Sequence, residues 1–359
     1  MKVGIVGMPN AGKSSLFNAL TSAGAEAANY PFTTVEPNVA IVPVRDARLD
    51  AIAEAIGSSE ITYDTLEVHD IAGLVRGAHE GEGLGNQFLA NIRETDAILH
   101  VVRAHDDDNV IHPDGRVDPI ADLETIEAEL LYADLEQAER RVERVRRQAK
   151  SGDSAAIAEE AWLRELVEAL GAGRPARSVP PPAAAPDAMR NLQPLTSKPV
   201  LFVANVSEGD GAIPDAVAEY AAAAGGSAVA VSSRVEAELA ELDPEDAAAM
   251  RAEMGVEDDA LEALVKGAFE LLDLISFFTA GEAKEARGYA IPRGTSAQGA
   301  AGKIHTDIGR GFVRAEIIGW RELVDAGGYS QARERGTLRI EGRDYAIADG
   351  EVMTVRFTP

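Results

Sequence analysis

The sequence predicts an α/β protein: a mostly parallel sheet entered through a phosphate-binding loop (P-loop), interrupted by an antiparallel helical hairpin and followed by a small α+β module. Three observations carry this. Strand and helix signals alternate through the first hundred residues, the βαβ rhythm of a parallel sheet. The run Gly7-Met8-Pro9-Asn10-Ala11-Gly12-Lys13-Ser14 follows an apolar strand directly and opens a helix. From Leu131 onward the apolar positions fall at spacings of four and three, the seam of paired helices.

In chain order, Val3–Val6 reads as the opening strand and 13–20 as the first helix. A polar, turn-rich stretch spans 26–37. An amphipathic helix over 46–56 and a strand over 65–69 follow. Glycines dominate 72–85, a helix covers 86–94, and 97–102 is a buried strand. Leu131, Leu135, Ala138, Val142, Val145 and Ala149 form the seam of the first hairpin helix; Ser151-Gly152-Asp153 breaks it, and Leu163, Leu166 and Leu170 line the second. A Pro/Ala-rich linker over 173–199 returns the chain to a strand at 200–204. Short strands are expected at 285–291, 314–318, 338–340, 344–347 and 352–357, with one helix over 297–308. The implied domains are 1–122 with 199–278, an insertion with its linker over 123–198, and a C-terminal module over 279–359.

Bulk composition narrows the function classes. With 359 residues and 46% hydrophobic content the chain has material for two or three cores. It has no cysteine, which excludes disulfides and thiolate chemistry. No leader-like or membrane-spanning run is visible, so a cytoplasmic protein is expected, with no membrane partner. A net charge of −26 disfavours non-specific nucleic-acid binding, and no DNA partner is expected. Charge is uneven, however: Glu139 to Lys150 carries six basic residues against two acidic ones.

The loop supplies the chemistry. Its glycines let successive backbone N–H groups wrap a phosphate, Lys13 brings a compact positive charge to the β and γ oxygens, and Ser14 offers a hydroxyl to Mg²⁺. The following helix aims its positive end at the same anion. Asn10, Ala11, Gly12, Lys13, Ser14 and Ser15 are therefore the expected phosphate contacts, with Asn10 also suited to help hold K⁺. Asp70-Ile71-Ala72-Gly73 ends a strand, where a carboxylate can hold a metal-bound water and the Gly73 N–H can meet a γ-phosphate. Thr34, in the polar stretch between, completes the metal set Ser14, Thr34 and Asp70.

Two departures narrow the nucleotide. Where guanine readers carry Asn-Lys-x-Asp, this chain has Asn205-Val206-Ser207-Glu208. The lysine is gone and the carboxylate lies one methylene further out, so guanine pairing is damaged and adenine becomes the better ligand. After Gly73, the residue is Leu74 rather than a water-orienting glutamine.

These residues carry a resemblance. With Asn29-Tyr30-Pro31-Phe32-Thr33-Thr34, Asp70-Ile71-Ala72-Gly73-Leu74-Val75-Arg76-Gly77-Ala78, Gly81-Glu82-Gly83-Leu84-Gly85-Asn86-Gln87-Phe88 and Asn205-Val206-Ser207-Glu208, the chain resembles the YchF family of Obg-like ATPases along essentially its whole length. The resemblance implies a P-loop NTPase domain interrupted by a coiled coil and followed by a β-grasp (TGS) domain. It implies ATP preferred over GTP, slow hydrolysis and association with the ribosome and its RNA. It places Ser14 and Thr34 on magnesium and Asn205, Val206 and Glu208 at the base. It assigns His112 the water-ordering role that Leu74 cannot fill, beside Lys13 on the phosphates. Two other readings stay open: a GTPase of the translation-factor type, and a nucleotide-sensing module with negligible turnover.

Overall fold

The computed structural model describes residues 1–26, 38–71, 84–107, 112, 115–254, 260–281 and 284–358. Its described strands are β1 (Lys2–Val6), β2 (Val39–Val44), β3 (Glu60–Thr62), β4 (Asp64–Asp70), β5 (Ala97–Arg103), β6 (Val200–Asn205), β7 (Ser227–Val231), β8 (Leu274–Ala280), β9 (Glu285–Pro292), β10 (Phe312–Gly319), β11 (Arg339–Glu341) and β12 (Glu351–Phe357). They form two six-stranded sheets, ordered β2-β4-β1-β5-β6-β7 and β11-β10-β12-β8-β9-β3. By contacts the chain divides into residues 1–42 with 67–271, and residues 43–66 with 272–359.

In the first unit β4, β1, β5, β6 and β7 run parallel, with Ile5 opposite Asp70 and Val6 opposite His100. β5 and β6 are buried at every position, which explains their unbroken apolar runs. The chain leaves β1 on one side to reach β4 and on the other to reach β5. The order therefore reverses at β1, the position where open α/β sheets bind ligands beyond the carboxyl ends of their strands.

The helical hairpin consists of Pro119–Ala149 and Ser154–Gly171. Asp118 caps the first helix by accepting from the Ala121 amide, with Pro119 in its first turn; Asp153 caps the second. Ala138 and Val145 of the seam are buried against Trp162, Leu163, Leu166 and Leu170, and Leu131, Leu135, Val142 and Ala149 pack around them. The segment expected as a linker is more structured than that. Ala176, Val179, Ala188 and Leu192 enter the hairpin core, and a short helix forms at Ala188–Leu192. Its return is pinned by the fully buried Asp134, whose carboxylate accepts from the Leu195 and Thr196 amides and the Thr196 hydroxyl, each at 2.7 Å. Burial raises the Asp134 pKa, and these bonds partly offset that rise.

The second unit differs from the sequence reading in extent. Residues 43–66, assigned above to the nucleotide domain, belong with the C-terminal module, and so does β8 at 274–280. The helix Ala47–Ile56 buries Leu49, Ile52, Ala53 and Ile56 against Phe278, Ile318, Leu323 and Val352. Arg48 reaches Asp349 at 2.7 Å, and Asp349 also accepts from the Ser276 amide. Alternation and caps reveal that helix in the sequence; its partners lie more than two hundred positions away.

Around a central parallel pair, β12 and β8, the sheet adds β10 and β9 antiparallel, with the helix Ala297–Ile304 packed on one face. This is the β-grasp arrangement. The single helix expected over 297–308 is two, because His305 takes extended backbone (φ −161°) and caps Thr306–Arg310 by accepting from the Asp307 amide. The strand expected at 344–347 is reduced to one bridge between Ser296 and Ala346. Among the described residues no helix is long and apolar enough to cross a membrane.

Candidate functional site

Because β4, β1, β5, β6 and β7 are parallel, the segments after Val6, Asp70, Arg103, Asn205 and Val231 emerge at one edge of the sheet. The predicted phosphate loop is the first of these. Two of its glycines are required by close approach. Gly7 has φ +155°, and a Cβ there would meet the Val101 carbonyl at 2.3 Å. Gly12 has φ +100°, and a Cβ would meet Asn205 Nδ2 at 2.2 Å. Asn10 is left-handed (φ 63°), a conformation that asparagine tolerates better than most residues.

Lys13 is 8% exposed, and its ammonium donates to the Met8 carbonyl at 2.8 Å, across the inside of the loop. Burial lowers its pKa, and the charge of Asp70 acts in the opposite direction. Asp70 is half-buried; burial raises its pKa, and Lys13 pulls it down. The two therefore face each other electrostatically at the carboxyl end of β4. Ser14 and Ser15 lie exposed in the first turn of the helix Lys13–Glu26. This donor set fits Mg²⁺, which binds through one or two protein oxygens and completes its octahedron with phosphate and water. Ser14 and Asp70 are the residues that would hold it. Thr34, Gly73 and Leu74 lie outside the described residues.

The base-side motif takes an unexpected form. Asn205, 6% exposed, donates through Nδ2 to the Ala11 carbonyl at 3.0 Å, and its Oδ1 accepts from the Ser233 amide at 3.0 Å. It braces the phosphate loop against the segment after β7. Val206 is 3% exposed and packs in the main core with Phe202, Ala204 and Val217, and its amide bonds the Val231 carbonyl. Glu208 is exposed and interacts electrostatically with Arg234. The motif thus supplies a buried brace, an apolar plug and one outward carboxylate.

His112 is 7% exposed, and its Nε2 lies 2.9 Å from Asp122 Oδ2 on the long hairpin helix. Sequence reading singled out the histidine and missed its partner, since nothing in the spacing links position 112 to 122. It also missed Ser233 and His100. The latter is buried on β5 beside Phe202, and burial, aided by the charge of Lys13, pushes its pKa down to about 3. His105 contacts the Asn205 carbonyl at 2.9 Å, consistent with a structural role.

In the second unit three basic side chains face different partners. Lys303 lies 3.8 Å from Asp64, Arg310 pairs weakly with Asp307, and Arg314 stands opposite Arg356 across β10 and β12.

Comparison with known proteins bears on both units. A family model described as a 50S ribosome-binding GTPase matches residues 2–136. A second, for the C-terminal domain of YchF GTPases and described as a protein of unknown function, matches residues 274–358. A Bacillus subtilis (strain 168) protein named ribosome-binding ATPase YchF is 46% identical over 363 residues, covering 99% of each chain. Its Escherichia coli O157:H7 namesake is 47% identical over 359 residues, with the same coverage. The solved structure of the Schizosaccharomyces pombe YchF GTPase superimposes with a TM-score of 0.87 at 34% identity, covering 99% of this chain and 97% of that one. The names of these relatives disagree on the nucleotide, ATP for the bacterial proteins and GTP for the yeast structure. Full-length identity and matching architecture show that the chain belongs to the YchF family.

Proposed function

We propose that this protein is a slow, Mg²⁺-dependent ATPase that acts as a nucleotide-controlled switch on the ribosome, in the cytoplasm. The observation that carries this is the braced phosphate loop, with Lys13 buried inside it and facing Asp70. The names of the bacterial relatives, which describe ribosome-binding ATPases, support the substrate and the partner. ATP rather than GTP is favoured because the lysine that would cover guanine is replaced by the inward-packed Val206, and Glu208 carries its carboxylate one methylene further out. Ribosomal RNA is the polyanion that the basic run Glu139 to Lys150 would meet.

Catalysis rests on position and charge. Loop amides and Lys13 neutralise the β and γ phosphates, and Ser14, Asp70 and Thr34 hold the metal. Mg²⁺, when bound, draws the phosphate charge that develops during transfer. Asn10 would help hold K⁺, which would add positive charge beside the phosphates. With Leu74 in place of glutamine, His112 orders the attacking water. Single-turnover hydrolysis of ATP and of GTP, with and without ribosomes, tests the reading, together with co-sedimentation in each nucleotide state. Faster GTP turnover would instead identify a translation-type GTPase. No turnover even on ribosomes would leave a nucleotide-sensing module.

A further inference from the structure

We propose that Arg93 is the joint through which the nucleotide site controls the helical hairpin, by its bond to Gln137 at the hairpin root. The proposal rests on the reading of the protein as a nucleotide-controlled switch that meets ribosomal RNA through the hairpin.

The helix Leu84–Arg93 is the first described element after Asp70, the strand end that faces Lys13. Its Phe88 and Ile92 enter one core cluster with Ile126 and Leu130 of the long hairpin helix. Its carboxyl end is held from two sides. Arg93 Nη2 donates to Gln137 Oε1 at 3.0 Å, and Gln137 Nε2 donates onward to the Leu192 carbonyl at 2.6 Å. Lys198 donates to the Arg93 carbonyl at 3.1 Å and to the Thr95 carbonyl, groups that the end of a helix leaves open. The outgoing and the returning chain of the insertion therefore both hold this helix end. Asp134 already fixes the return of the hairpin through the Leu195 and Thr196 amides. The Arg93–Gln137 bond is thus not needed to close the insertion; it joins the insertion to the helix that follows Asp70.

The joint is incompletely satisfied. Among the described residues, Arg93 Nε is buried and meets no acceptor, and a buried donor left so is costly. A second acceptor stands on the same helix face: Asp134 lies three positions before Gln137, and the Arg93 charge acts on its carboxylate. A small displacement of the helix end exchanges the neutral acceptor for the charged one, which gives the joint two discrete arrangements. A ligand moves a distant element only as far as its binding free energy differs between two such arrangements. Nucleotide bound between Lys13 and Asp70 biases the chain that leaves Asp70, and the helix carries that bias to Arg93. Gln137 receives it at the root of a lever. Ala149 lies about 18 Å further along the same helix at 1.5 Å per residue, so a small tilt at the root displaces the basic run Glu139 to Lys150.

Co-sedimentation of the full chain with ribosomes, in the presence of a non-hydrolysable ATP analogue or of ADP, tests this in the parent, Arg93→Met and Gln137→Met. Thermal unfolding and nucleotide titration without ribosomes accompany it. In the parent, ribosome affinity should differ between the two nucleotide states by about tenfold. In either variant that ratio should fall to within about twofold of unity, while nucleotide affinity without ribosomes stays within about threefold of the parent. Linkage supplies the cross-check: ribosomes should change the preference for the ATP analogue over ADP by the same factor in the parent and not in the variants. Should Arg93→Met fold poorly, Arg93→Lys keeps the charge, loses the planar fork and should lose the ratio as well. A folded variant that binds ribosomes more weakly in both states but keeps the parent's ratio has lost a structural contact only, and overturns the proposal. A parent whose ribosome affinity ignores the nucleotide refutes the switch reading and the proposal with it, whereas a responsive parent with equally responsive variants refutes the proposal alone.

Discussion

The Nδ2 of Asn205 donates to the backbone carbonyl of Ala11 at 3.0 Å, tying the end of β6 to a phosphate loop 194 positions earlier. The same side chain accepts from the Ser233 amide, so one amide group joins three segments. Asn205→Ala leaves the Ala11 carbonyl and the Ser233 amide unpaired inside the protein. Thermal unfolding without nucleotide should register a loss of about 1–3 kcal/mol, and ATP affinity should fall with it. Loss of affinity at full stability would mean that Asn205 touches the nucleotide rather than the loop.

ATP should bind about tenfold or more tightly than GTP in parallel titrations. Glu208→Asp should narrow the gap, since that carboxylate is exposed and its move disturbs no core. Restoring the lysine at 206 is a different matter. Val206 is 3% exposed, so Val206→Lys would bury an ammonium and should destabilise the fold before it informs on base selectivity. Equal or tighter GTP binding in the parent protein would refute the adenine reading.

Lys13→Ala should abolish most nucleotide affinity without lowering thermal stability. The ammonium is held in the folded state against desolvation, and its bond to the Met8 carbonyl returns little. Ser14→Ala, at an exposed position, should weaken the dependence of hydrolysis on Mg²⁺ concentration. A sharp fall in the melting temperature of Lys13→Ala would make the lysine a structural group.

Stability should decline as pH falls below about 6.5, with His100 as one identifiable source. Its pKa in the folded protein is about 3, below the ordinary 6.5, so between those values the unfolded chain binds the extra proton. The contribution is complete above the unfolded pKa and drains away as pH falls toward 3, by up to about 4 kcal/mol. Denaturant unfolding at pH 7 and pH 4.5 should show a smaller difference for His100→Phe than for the parent. An identical slope in both would assign the acid sensitivity elsewhere.

Hydrolysis should run faster in K⁺ than in Na⁺ at matched ionic strength, and Asn10→Gly should reduce that preference. Glycine accepts the left-handed backbone at φ 63° without strain, so this exchange removes the side-chain oxygen and leaves the turn intact. Equal rates in the two salts would confine Asn10 to shaping the loop.

What the sequence determined by itself was local. The phosphate loop is legible because glycine, lysine and hydroxyl must stand at fixed offsets to wrap an anion, and Gly7, Gly12 and Lys13 show those constraints directly. The hairpin is legible because Ala138 and Val145 lie on a repeat that one helix face imposes. The resemblance extended this to the family, which the full-length comparisons show. The tertiary structure decided what depends on groups brought together from distant positions. Residues 43–66 join the C-terminal sheet because Leu49 and Ile52 find their partners at Phe278 and Ile318. Asn205 became a brace because parallel strands deliver Ala11 and Ser233 to the same sheet edge. His112 acquired Asp122 because the long helix starts beside the chain that leaves β5. A residue's type announces what it can bond to; only the packed chain selects which of many capable partners lies within 3 Å, since that choice is made by burial and strand order rather than by spacing along the sequence.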